Sequence, residues 1–198
     1  MKKLILSLSI IALAVMTTSA QVTFGLKAGL NLATWTGSDA SSTNLPGKTM
    51  KAGLNIGALV NFAVSSNFSI QPEAVYSMEG VKVTGGTYDL SYINIPVLAK
   101  YNFSKGFYAA TGPQLGIITS AKVKPTGGTS TDIKSLLQST DFAWVIALGY
   151  LTAANVGFDA RYNFGIGTID KGSPKDKFTN SVIQLGVFYM FGGKKGKE

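Results

Sequence analysis

Seven charged residues fall inside otherwise apolar-rich segments of this chain: Lys27, Lys51, Glu73, Lys100, Asp141, Asp159 and Arg161. Paired carboxylates are the equipment of glycoside hydrolysis. Here every carboxylate shares its side of the chain with lysine or arginine, which turns the pattern toward ion pairing. Two readings follow. The charges bind or pass a charged solute, or they pair with one another as a buried plug, because a buried charge needs a partner. The chain contains no His and no Cys. Ser-His and Cys-His nucleophile pairs and most transition-metal sites are thereby excluded, and no disulfide framework exists. No catalytic residue, metal site or cofactor site is expected. Gly85-Gly86 and Gly127-Gly128 lack the strand-to-helix context of a phosphate cradle and read as turn-formers.

The elements that position these charges show a period of two. Apolar faces recur about eight times: Val22 to Leu32, Ala52 to Phe62, Phe68 to Tyr76, Ile93 to Phe103, Phe107 to Ile117, Phe142 to Tyr150, Val156 to Ile166 and Ile183 to Phe191. The opposite faces carry Gly, Ala, Ser and Asn together with all seven charges. Short connections (Ser65-Ser66-Asn67, Ser104-Lys105-Gly106 and Thr152-Ala153-Ala154-Asn155) alternate with long ones (Ala33 to Thr49, Glu79 to Thr87, Lys122 to Thr140 and Thr168 to Asn180). In an up-and-down barrel these two sets lie at opposite ends. The expected fold is therefore all-β, an eight-stranded antiparallel transmembrane barrel with short periplasmic turns and long extracellular loops. Each strand has the roughly 9–11 residues that cross a hydrocarbon layer at a tilt, and closure leaves no edge unpaired in lipid.

A soluble lipocalin-like barrel has the same period with its apolar face inward. Small polar residues on the other face suit a narrow lumen. Aromatic residues at strand ends, including Tyr101, Phe107, Tyr150, Tyr189 and Phe191, suit interfacial girdles. Only 14% of the residues are charged, below the roughly 25–35% typical of a soluble surface. Pro72, Pro96 and Pro113 each remove a ladder donor, so bulges or gaps are expected near them. The "DIKSLLQ" segment, 132–138, is long enough for a helical turn only.

Residues 1–20 read as a cleavable signal peptide: Lys2-Lys3, an apolar stretch and a Thr18-Ser19-Ala20 cleavage site. The barrel then occupies 21–191 and a basic tail 192–198. Removing Lys2 and Lys3 takes the formal charge from +8 to +6. No basic element is interleaved with aromatics, so nucleic acid is not an expected partner. Basic loops facing anionic head groups account for the charge.

"VTFGLKAGLN", "FSIQPEAVYSMEG", "YINIPVLAKYNF", "GFYAATGPQLG", "DFAWVIALGY" and "GFDARYNFGIG" together resemble the Bacteroidetes-type outer-membrane β-barrel family. This is the PorT-like group labelled "porin family protein", distantly like OmpA-, OmpX- and OmpW-type barrels. The resemblance implies location in the outer membrane and offers no catalytic residue to carry over. Some PorT-like members are linked to type IX secretion. The last strand, ending in Tyr189 and Phe191, resembles the signal read by the barrel-assembly machinery, although "GGKKGKE" follows it. Expected partners are thus outer-membrane lipid, that machinery during biogenesis, and an unidentified secretion-machine or surface partner. The first reading is a non-enzymatic interaction barrel, its lumen plugged and its loops exposed. The second is a small-solute channel. A lipid-modifying enzyme and a soluble ligand carrier rank below both.

Overall fold

The computed structural model describes residues 22–38, 40, 45–103, 106–169, 171 and 178–191. The segments read as signal peptide and basic tail lie outside them. Eight long strands are β1 (Val22–Thr36), β2 (Thr49–Ala63), β3 (Phe68–Val83), β4 (Gly86–Asn102), β5 (Phe107–Pro125), β7 (Thr140–Leu151), β8 (Val156–Gly165) and β9 (Thr179–Phe191); a two-residue β6 (Thr131–Asp132) lies between β5 and β7. Each long strand pairs antiparallel with its neighbours, and β1 pairs with β9 from Phe24↔Phe191 to Thr36↔Thr179, which closes the barrel. The two-residue β6 pairs only with β5 and adds no stave.

The period-two pattern sets the sidedness. Leu26, Leu30, Leu54, Ile56, Ile146, Leu148 and Leu185 are exposed on the outside, whereas Lys27, Asn31, Asn55, Glu73, Asn94 and Arg161 are buried in the lumen. So continuous a band of exposed apolar side chains needs an apolar surrounding rather than water. Around the short-turn end the outer face carries aromatic pairs: Tyr101–Phe103, Phe107–Tyr150 and Tyr189–Phe191, with ring centroids 5.4, 4.7 and 5.0 Å apart.

The structure corrects the sequence reading in two places. The segment Glu79 to Thr87 is not a long loop. Both strands run on, and β3 and β4 meet at a two-residue turn, Thr84-Gly85, with Gly85 at φ 88°. Gly80, which reads as the start of a turn, instead sits inside β3 with φ 128°, where a Cβ would lie 2.0 Å from the Tyr88 carbonyl oxygen. Second, alternation along β5 puts Ser120 on the inward face with Gly112, Gln114 and Gly116, and the structure does not. The β4–β5 register shifts between Ser91↔Ser120 and Tyr92↔Ile118. That extra residue reverses the phase, so Ile118 and Ala121 point inward. The prolines coincide with gaps, one of the two irregularities expected near them. The β3–β4 ladder is interrupted between Pro72↔Val97 and Val75↔Asn94 with its register unchanged. The β4–β5 ladder is likewise interrupted between Pro96↔Gln114 and Ala99↔Thr111. The other register shift lies in β2, between Met50 and Asn55. Residues Lys134–Leu136 form one 3-10 turn.

Candidate functional site

The lumen is built in layers, which follow from the strand on which each inward residue sits. At the short-turn end Leu59, Leu98, Tyr108, Val145, Phe188 and Met190 form a buried apolar cluster inside the barrel. Glycines in the wall make room for its two rings. A Cβ at Gly149 would lie 2.3 Å from the Tyr108 ring, and one at Gly157 would lie 2.0 Å from the Phe188 ring.

Above this plug lies a charge belt. Arg161 on β8 reaches across the lumen to Glu73 on β3, donating from Nη1 to Oε2 at 2.8 Å and from Nη2 to Oε1 at 2.9 Å. The same guanidinium donates to Asp159 Oδ2 from Nη2 at 2.7 Å and from Nε at 3.0 Å. Its fork geometry allows both carboxylates to be held at once. Lys27 on β1 places its Nζ 3.6 Å from Glu73 Oε2 and 3.6 Å from Asp159 Oδ2. Gln71 donates to Glu73 Oε1 at 2.7 Å. Lys100 stands at the lower edge of the belt. Its Nζ lies 3.9 Å from the centre of the Tyr108 ring and donates to Gln71 Oε1 at 3.5 Å. The quadrupole of the ring faces the ammonium. Five of the seven charges singled out by sequence therefore meet in one belt that spans the lumen from β1 to β3, β4 and β8.

The other two stand apart, nearer the long-loop end. Lys51 Nζ is 3.1 Å from Asp89 Oδ1 and donates to the Glu79 carbonyl oxygen at 3.0 Å. Asp141 on β7 is buried, and its Oδ1 has no hydrogen-bond partner among the described residues. Between belt and mouth lies a layer of amides. Asn31 donates to Ser77 Oγ at 2.9 Å, and Asn55 donates to Asn31 Oδ1 at 2.6 Å.

Sequence reasoning missed Glu79. Its carboxylate is buried and accepts from Asn94 at 2.9 Å and from Asn180. The signal was present, since Glu73, Val75, Ser77 and Glu79 continue one inward-facing row. The following Gly80 made the row look finished. Also missed was an apolar cluster that caps the lumen at the long-loop end, centred on Trp35, Val81, Leu90, Tyr92, Leu137 and Ile169. These six come from five separate segments, so no local pattern marks them. Tyr189 and Phe191 lie on the outer face of the closing strand, 44% and 48% exposed.

Among the described residues no group of three or more His, Cys, Asp or Glu is placed to hold a metal ion. The arrangement offers the lumen a neutralised, hydrogen-bonded interior and leaves no carboxylate pair open to a substrate at the belt.

Comparison with known proteins agrees with this geometry. Residues 17–171 match the family model described as "Outer membrane protein beta-barrel domain". No curated protein sequence matches the chain. Among solved structures, Neisserial surface protein A aligns with a TM-score of 0.57 at 15% identity, covering 85% of this chain and 98% of that one. Ail, the attachment invasion locus protein of Yersinia pestis, was solved in complex with the heparin analogue sucrose octasulfate. It aligns at 0.51 and 16% identity, covering 86% and 99%. At these identities the likeness concerns the fold.

Proposed function

Because this chain belongs to the outer membrane protein beta-barrel domain family and so resides in the outer membrane, we propose that it is a non-enzymatic, non-conducting barrel that works through its extracellular end. The observation that carries this reading is the belt of Lys27, Glu73, Asp159 and Arg161, closed across the lumen and backed by the Tyr108–Phe188 plug. Eight strands enclose an interior just wide enough for side chains, and here side chains occupy it in layers. A solute would have to break several buried ion pairs to pass. The barrel then serves as an anchor for its long loops, which contact a surface partner or a secretion machine. We place the chain with the PorT-like group on its ordered QPE, IP and GPQ motifs, and we assign Tyr189 and Phe191 to recognition by the assembly machinery.

The test is cross-linking in living cells from photoreactive residues placed at the exposed positions Thr84 and Lys124, at the long-loop end. The expected result is one discrete protein recovered at near-equal abundance. Recovery of lipid and assembly factors alone would count against an interaction role and would favour a stand-alone barrel.

A further inference from the structure

The loops at the extracellular end do more than surround the mouth: with the adjoining strand ends they line an open cavity of about 620 Å³. Small-molecule sites occupy roughly 300–1,000 Å³ and are apolar with a few placed polar groups. Leu45, Val123, Ile133, Leu136 and Phe178 supply apolar wall. The walls are pinned by backbone hydrogen bonds, two between the β5–β7 and β8–β9 connections and one within the latter. Gln138 N–H donates to the Ile169 carbonyl at 2.9 Å, Lys171 N–H to that of Leu136 at 3.2 Å, and Ile169 N–H to that of Phe178 at 2.9 Å. The cavity is thus a built feature and not a gap between free loops.

Its polar equipment is one-sided. Among the described residues the lining contains Trp35, Tyr88, Ser135 and Lys171 but no carboxylate. Trp35 is buried, its ring 4.8 Å from that of Tyr88 and 6.0 Å from that of Phe178, and its Nε1–H has no acceptor among the described residues. An indole N–H can only donate, and leaving such a donor buried and unpaired is costly. What enters therefore brings an oxygen. The surrounding charge says which kind. Exposed Lys82, Lys122, Lys124, Lys134 and Lys171 stand at this end. Asp89, held by Lys51, and Asp132, opposite Lys122 in the ladder, are the acids facing them among the described residues. A field of that sign favours an anion.

We propose that this cavity is a binding site for a single-chain anionic amphiphile, a long-chain carboxylate. Its tail lies against the apolar wall and its oxygens take the donors of Trp35 and Lys171. The volume suits one tail rather than the bundle of a multiply acylated lipid. The site is independent of whether the lumen conducts.

The experiment uses the folded barrel in vesicles of zwitterionic lipid, with Trp144→Phe leaving Trp35 as the sole tryptophan and excitation chosen to spare the tyrosines. Sodium hexadecanoate is the probe. The expected result is a saturable change in Trp35 emission, at least tenfold weaker in Leu136→Glu and in Lys171→Glu. Leu136 is 62% exposed, so its substitution leaves the barrel intact, which unchanged heat-dependent gel mobility verifies. Across shorter and longer carboxylates, affinity should climb about fourfold per methylene and then level off when the cavity is full. Emission that changes in proportion to total amphiphile, equally in Leu136→Glu, would overturn the proposal by showing partition into the bilayer. Equal saturable binding of hexadecyltrimethylammonium would overturn its anionic character.

Discussion

Arg161 is the residue on which the interior turns. It makes four hydrogen bonds to two carboxylates drawn from opposite sides of the lumen. Removing one member of such a buried network strands the others as unpaired charges, at a cost of about 3–5 kcal/mol. Arg161→Ala should therefore lower the temperature at which the barrel loses its compact gel mobility. Adding Glu73→Gln should recover part of that loss, because one stranded charge is gone and neighbouring sites do not add. An unchanged transition temperature in the single variant would contradict the role given to the belt. How far these contacts were legible in sequence depends on what carries them. Alternation placed Lys27, Glu73, Asp159 and Arg161 on one face, because side-chain direction is a local property of a strand. That Arg161 meets Glu73, 88 residues away, depends on strand order and shear, which no local pattern encodes. Lys100 read as one more ion-pair partner, yet it stands against the Tyr108 ring and the Gln71 amide.

At the scale of the strand, the outward face is as specified as the inward one. Leu185 on β9 is 56% exposed and pairs with Leu30 across the closing seam. A lysine there would face hydrocarbon. Near the bilayer midplane that substitution costs about 2–4 kcal/mol. Leu185→Lys should lower the yield of folded barrel in lipid vesicles, whereas Gln184→Lys, one residue along and facing the lumen, should act through the belt and amide layers instead. Equal folding yields for Leu185→Lys and the parent chain would contradict the outward assignment. Strand identity and sidedness were plain from the period, but strand ends were not. Gly80 and Gly85-Gly86 look alike in sequence as turn signals, yet only the second pair sits at a turn. Gly80 is there because a neighbouring backbone comes too close for a Cβ. The phase reversal near Thr119 is likewise a bulge that composition does not announce.

For the whole molecule, two apolar clusters bracket a charged and amide-filled middle. The lower cluster and the belt fill the lower lumen with side chains, and the upper cluster merges with loops that form a basic, cavity-bearing outer end. The role proposed for such a barrel is that of an anchor for its loops. Planar-bilayer recording tests that account most directly. Purified barrel should insert without stepwise conductance, and Phe188→Ala combined with Arg161→Ala should introduce it by removing plug and belt together. Discrete conductance steps from the parent barrel, at the frequency of its insertion, would contradict the claim that this lumen is closed.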